Sequence, residues 1–323
     1  MSELVTTPAP APPRRTVAGE ATPTSGRADP PSPLCTTYAE VTELRAEHPG
    51  AIAQSWVRRS GRPTVRHGQR LMIVAADHPA RGALSVGDRP TAMNSRTDLL
   101  DRLRTALADP GVDGVLATSD ILEDLLLLGA LEDKVVFSSM NRGGLAGATF
   151  ELDDRMTGAT APWTIGAGLN GAKMLCRVDY SDPGTLNMMT ACAAAVDELA
   201  AGGVVAMLEP FLSTRVDDRV RNDLTADAVI KSMHIVSGLG STSAYTWLKL
   251  PVVDEMERVM DATTLPSLLL GGDPQTAPDE TFASWERALA IPSVRGLIVG
   301  RTLLYPADDD VAAAVGTAVS LVK

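Results

Sequence analysis

The sequence predicts a (β/α)8 barrel, and three observations carry that expectation. From Leu71 onward, short apolar runs alternate with amphipathic stretches of helical spacing. Strands that alternate with helices indicate a parallel sheet covered on both faces. Eight such units fit in roughly 250 residues, the usual size of a closed barrel. The rival is an open doubly wound sheet, which has fewer strands. No GxGxxG follows the first apolar run, so the nucleotide turn of that rival is missing.

The elements follow in order. The opening "MSELVTTPAPAPPRRTVAGEATPTSGRADPPSPL" is rich in Pro, Ala, Ser and Thr and poor in large apolar residues. Such a stretch cannot repay the entropy of ordering, so residues 1–34 are expected to be a disordered tail and 35–323 a single barrel domain. "TYAEVTELRAEHPGAIAQSWVRRS" has helical spacing and precedes the first strand. The expected strands are "LMIVAAD" (71–77), "GVLAT" (114–118), "KVVFSS" (134–139), "KMLCRVD" (173–179), "VVAMLEP" (204–210), "YTWLKL" (245–250), "SLLLGG" (267–272) and "GLIVG" (296–300). Between them, "SRTDLLDRLRTALADP" begins with a serine cap and ends at proline, and "TLNMMTACAAAVDELAAGG" ends at paired glycines. "PDETFASWERALAIP" and "DDDVAAAVGTAVSLVK" open with acidic first turns, as the helix dipole favours.

Composition narrows the function. The chain has 323 residues, 45% of them apolar, enough for a full core. Its formal charge of −11 argues against nucleic acid or an anionic membrane as partner, since both want a basic face. A local basic pocket for an anionic small molecule stays open. No apolar run reaches the roughly 20 residues of a membrane span, and no secretion signal is read at the N-terminus. The cysteines Cys35, Cys176 and Cys192 form no CxxC pair, so neither a disulfide framework nor a zinc site is expected, and the cytoplasm is the expected location.

In a (β/α)8 barrel the chemistry lies at the C-terminal ends of the strands. There the sequence places Asp77 and His78 after strand 1, Lys173, Arg177 and Asp179 on one face of strand 4, Glu209 at the end of strand 5, and Lys249 on strand 6. Strand 7 ends Gly271-Gly272 and strand 8 ends Gly300-Arg301. Lys249 interrupts an apolar run, "YTWLKLP". A lysine facing the inside of a closed barrel is desolvated, which favours the neutral amine, a nucleophile toward carbonyls. Lys173 and Arg177 are expected to add nearby positive charge. Asp77 is either a loop cap or a group for proton transfer or hydroxyl binding, and His78 either binds substrate or shapes the loop before Pro79. Glu209 pairs with Lys173 or Lys249, or is a solvated strand-end carboxylate. The late glycines, with Arg301, suit a phosphate, because glycine lets backbone N–H groups approach an anion. The histidines are scattered and no HxxxH or HExxH occurs, so no metal site and no cofactor are expected.

The residues also carry a family resemblance. "MIVAADHPARGA" resembles the first strand of archaeal-type class I fructose-bisphosphate aldolases. "AKMLCRVDYSDPGT" is similar to the fourth strand of tagatose-bisphosphate aldolases and of the aldolase domain used in inositol breakdown. "YTWLKLPV" resembles the strand that carries the Schiff-base lysine, and "LLLGGD" and "GLIVGRTLLYP" resemble the phosphate-binding ends of strands seven and eight. Over residues 40–323 the chain resembles actinobacterial deoxyribose-phosphate-aldolase-like barrels encoded with inositol-catabolism enzymes. Two departures stand out: Asp-His-Pro replaces Asp-His-Gly, and of the double tyrosine on strand 4 only Tyr180 remains. The resemblance implies Lys249 as the imine-forming residue and Asp77 as a catalytic or hydroxyl-binding carboxylate. It implies Lys173 with Arg177 in the active-site wall, and Gly271, Gly272, Gly300 and Arg301 around a phosphate. It also implies a homo-oligomer acting on a small phosphorylated sugar.

The expected activity is a class I lyase that cleaves a phosphorylated keto-sugar or keto-sugar acid. 5-Dehydro-2-deoxygluconate 6-phosphate, splitting to dihydroxyacetone phosphate and malonate semialdehyde, and deoxyribose phosphate are the candidate substrates. The alternatives are a barrel that isomerises, epimerises or only binds a phosphosugar, and a metal-dependent aldolase. The glycine-rich loop "MNRGGLAGATFELDDRMTG" after strand 3 is expected to cover the substrate.

Overall fold

A computed structural model describes residues 32–65, 68–271 and 278–323. Eight parallel strands close into a barrel: β1 (Leu71–Ala75), β2 (Gly114–Ala117), β3 (Val135–Ser139), β4 (Gly171–Val178), β5 (Val205–Val216), β7 (Thr246–Pro251), β8 (Ser267–Leu270) and β9 (Val294–Val299). The ninth, β6 (Arg219–Asp223), is a hairpin arm on β5 and lies outside the ring. The ring closes through β4–β5 pairing on one side and β1–β9 on the other. Helices cover the outside, among them Arg96–Ala108 capped by Ser95, Gly184–Ala201, Pro278–Leu289 and Val311–Val322. No helix among the described residues is long and apolar enough to cross a membrane.

Each expected strand is present, with ends shifted by a few residues. Two differences have local causes. The segment after Glu209 does not end at Pro210; β5 runs on to Val216 and returns as β6. Asp217 and Asp218 both take positive φ, the geometry of a tight hairpin turn that Asp tolerates. The first helical stretch splits into Tyr38–Glu47 and Gly50–Arg58, broken at His48-Pro49 because the residue before proline leaves the helical region. The expectation for residues 1–34 falls largely outside the described residues; from Cys35 the chain is packed, with the Cys35 N–H donating to the Leu127 carbonyl.

The strand period of two sorts the core. Leu71, Ile73, Ala75, Leu116, Val135, Phe137, Val205, Met207, Leu268 and Ile298 fill the barrel interior. Their neighbours in sequence, such as Met72, Val74, Val115, Val136 and Leu208, face outward into the larger cluster beneath the helices. The inner column is therefore dry and apolar at its base. Continuing the same period upward on each strand brings Asp77, Ser139, Lys173, Glu209 and Lys249 to the top of that column.

Candidate active site

The top of the column opens into a cavity of about 1010 Å³ lined by Asp77, Arg142, Lys173, Glu209 and Lys249. These side chains are deeply buried: Asp77 and Lys173 are 2% exposed, Lys249 3% and Glu209 8%. Charged groups survive such burial only when paired, and here the pairing is shared. Glu209 bridges both lysines: Oε1 lies 3.0 Å from Lys249 Nζ, and Oε2 lies 2.6 Å from Lys173 Nζ. Lys173 Nζ also lies 2.9 Å from Asp77 Oδ2. Strand register explains this: Leu208 pairs with Leu248, so Glu209 and Lys249 stand one step further along adjacent strands.

Burial acts on these groups in opposite directions. It raises the Glu209 carboxyl, but the ammonium groups of Lys173 and Lys249 outweigh it and hold Glu209 well below the carboxylate range. Burial lowers the Lys173 amine well below the usual lysine range; Glu209 opposes this, while Arg142 and Lys249 add to it. The His78 imidazole is likewise pushed well below its ordinary value, by burial and then by Arg301, Lys249 and Lys173. It is a neutral group at the cavity, its Nδ1 lying 3.7 Å from Asp77 Oδ1.

Arg177 departs from the sequence expectation. It lines the cavity, but its charge goes to the loop after β3: NH1 lies 2.5 Å from Glu151 Oε1, and NH2 donates to the Glu151 carbonyl. Arg81 completes that cluster, at 3.2 Å from Glu151 and 3.1 Å from Asp154. The cation beside Asp77 and Lys173 is instead Arg142, which the strand-end reading passed over. Arg142 pairs with Asp77 and donates to Ser139 Oγ at 2.7 Å. The loop that carries it is anchored: Asn141 exchanges two hydrogen bonds with the backbone of Leu175 on β4, and Arg142 N–H donates to Thr157 Oγ1. The polar, glycine-rich "MNRGG" was the available signal. Asp179 turns the chain by accepting from Ser181 and does not line the cavity.

Gly271, Gly300 and Arg301 also line the cavity. A Cβ on Gly300 would stand 2.4 Å from the Ala75 carbonyl oxygen, so only glycine lets β1 and the turn after β9 lie this close. Arg301 NH1 reaches the Ser85 carbonyl at 3.4 Å. Gly272 lies outside the described residues. Among the described residues, no three His, Cys, Asp or Glu side chains are grouped to hold a metal ion.

Residues 69–319 match the Cgl0159-like family. The chain belongs to the Cgl0159-like family. The crystal structure of Cgl0159 from Corynebacterium glutamicum is 54% identical, with a TM-score of 0.86 over 90% of this chain and 98% of that one. Two further structures share the fold at low identity. A Schiff base forming fructose-1,6-bisphosphate aldolase is 16% identical, TM-score 0.59, over 84% of this chain and 100% of that one. An archaeal fructose-1,6-bisphosphate aldolase, its catalytic Lys bound to a carbinolamine intermediate, is 14% identical, TM-score 0.59, over 84% and 99%. A search of curated proteins returns no match. The Cgl0159-like chain thus has a (β/α)8 barrel with a doubly lysine-paired carboxylate at its mouth.

Proposed function

We propose that this Cgl0159-like protein is a class I aldolase that cleaves a phosphorylated keto-sugar or keto-sugar acid through a lysine imine. The observation that carries the reading is Glu209, buried between two lysine amines at the end of a dry barrel. The barrel's likeness to aldolases that form Schiff bases supports it as analogy only.

The proposed steps use the residues that line the cavity. The Lys249 amine attacks the substrate ketone to give a carbinolamine. Glu209, hydrogen-bonding distance from both amines, carries the protons that turn the hydroxyl into leaving water and leave an iminium. Asp77 takes the proton of the hydroxyl on the carbon to be released as aldehyde. The C–C bond breaks and its electron pair enters the iminium, giving an enamine. Protonation of the enamine and hydrolysis release the ketone product and restore Lys249. The buried imine is the electron sink, and the surrounding fixed charges stabilise it without reorganising. Gly271, Gly300 and Arg301 hold the phosphate end, with Gly272 beside them and His78 as a neutral hydrogen-bonding group. Arg177 keeps the loop after β3 in place from the cavity wall. The protein works in the cytosol, where its three free thiols stay reduced, as a homo-oligomer.

A second assignment has its own support. Lys173 is the amine that burial drives well below the lysine range, so it is the rival for imine formation. Substrate screening with 5-dehydro-2-deoxygluconate 6-phosphate and deoxyribose 5-phosphate, read by carbonyl product release, tests the reaction. Intact mass after borohydride tests the intermediate. Product release with a covalent reduced adduct is the expected result. Binding or isomerisation of these phosphosugars without an adduct would replace the aldolase with a phosphosugar isomerase, epimerase or binding protein.

A further inference from the structure

Four arginines among the described residues are buried: Arg59, Arg81, Arg142 and Arg177. Three have a carboxylate. Arg81 and Arg177 pair with Glu151, and Arg142 pairs with Asp77. Arg59, 8% exposed, pairs with no carboxylate among the described residues. Its guanidinium donates to carbonyls instead: NH1 to Leu131 and Lys134 at 3.4 and 3.2 Å, and NH2 to Gly168 at 3.0 Å. These carbonyls precede β3 and β4, at the end of the barrel away from the active site. Carbonyls supply dipoles and no net charge, and Nε is buried without a partner. Arginine keeps its proton in proteins, and a buried charge ordinarily has a counter-ion. An orphaned buried donor of this kind points to an ion or water that completes it.

Arg59 lines a second cavity, of about 250 Å³, between the helices Gly50–Arg58 and Ser119–Leu127. It shares no lining residue with the active-site cavity. Arg58, Ser55, Gly129 and Glu132 stand around it. Arg58 is exposed, bonded only to Ser55 Oγ at 3.4 Å, and it too has no carboxylate partner among the described residues. Glu132 is the one carboxylate in the lining, and its Oε2 accepts from the Ser60 N–H at 2.8 Å. The cavity thus has two guanidinium charges against one carboxylate, with room for a polyatomic anion. Two planar forks at one cavity suit a tetrahedral oxyanion, which offers several oxygens and more than one negative charge. We propose that this cavity binds a phosphate group, free or as the monoester of a small metabolite. Arg59 supplies the buried charge and Arg58 closes on the ion from the surface. This site is independent of the aldolase reading.

The test must locate the ion, because the mouth of the barrel is also proposed to hold phosphate. Hydrogen exchange of the full-length protein, resolved by peptide mass spectrometry, does so. Inorganic phosphate and glycerol 3-phosphate are added separately at millimolar concentration, with ionic strength matched by sodium chloride. Slower exchange is expected in peptides covering residues 50–60 and 129–134, scored apart from those covering 300–304 at the mouth. A response to both ions, or to either alone, supports the site and tells whether the free ion or the ester is preferred. Arg59→Gln should abolish the response. Arg58→Gln, an exposed change, should raise the phosphate concentration for half the effect by roughly tenfold, and it keeps the test open if Arg59→Gln does not fold. Arg301→Gln should leave the response of 50–60 unchanged. No slowing in these peptides with either ion, or slowing that Arg58→Gln does not weaken, would overturn the proposal.

Discussion

The two ends of the barrel both bury ions, and they do so in opposite ways. At the base, Asp113 is surrounded by donors. Met72 N–H and Lys323 Nζ meet Oδ2 at 2.8 and 2.7 Å, and Gln69 Nε2 and Arg62 NH1 meet Oδ1 at 2.8 and 3.1 Å. Two donors meet each carboxylate oxygen, and the cluster ties Lys323 to the floor of the barrel. At the mouth, Glu209 and Asp77 are each shared between cations beside a cavity, and Arg142 Nε and His78 Nδ1 are unpartnered, as Arg62 Nε is at the base. A carboxylate saturated with donors rigidifies; charges shared beside a cavity are placed to bind and to move protons. On the proposed function, the base serves stability and the mouth serves reaction.

Substitutions should separate the two ends. The largest effect is expected from Lys249→Met, which removes the proposed nucleophile: cleavage rates should fall by about four orders of magnitude or more. Because Glu209 keeps Lys173 as partner, the thermal midpoint should change little; steady-state kinetics and calorimetry on the same sample check both. Asp113→Ala should reverse the pattern. It strands Arg62 and Lys323 and leaves the Met72 N–H unsatisfied, at a cost of about 3 kcal/mol in denaturant unfolding. Turnover at a temperature where the variant is folded should stay at the wild-type level.

The smallest effect concerns pH. The folded Glu209 carboxyl lies below its unfolded value of about 4.3, so its stabilisation is fully present above that pH and is lost as acid protonates the folded form. The stability difference between wild type and Glu209→Gln should therefore be greatest near pH 6 and narrow below about 4.3. A gap that widens on acidification would mean that the carboxyl is not held ionised by the lysines.

Much of this organisation was legible in the residues. The eight apolar runs gave the ring, and the rule that barrel chemistry lies at the C-terminal strand ends gave the candidate set. Asp77, Lys173, Glu209 and Lys249 were found at strand ends for that reason, and the structure brings them together. Three things were hidden. The β5–β6 hairpin depends on two aspartates in the left-handed region, a turn that "VDDRV" does not announce as Asn-Gly would. Arg142 lies three residues past its strand, where alternation no longer predicts direction; Asn141 bonding to β4 fixes its place. Arg177 has the right period and still pairs away from the lysines, because Glu151, distant from it in sequence, arrives on a loop. Side-chain partners across loops are tertiary facts, and a strand pattern contains none of them.

The central claim is that the reactive carbonyl is captured on β7. Wild type, Lys249→Met and Lys173→Met should be incubated with dihydroxyacetone phosphate, reduced with borohydride, digested, and the adduct located by peptide mass spectrometry. The account predicts a reduced adduct on Lys249 in wild type, retained at lower yield in Lys173→Met and absent in Lys249→Met. An adduct on Lys173 that persists in Lys249→Met would contradict it and transfer the nucleophile to β4.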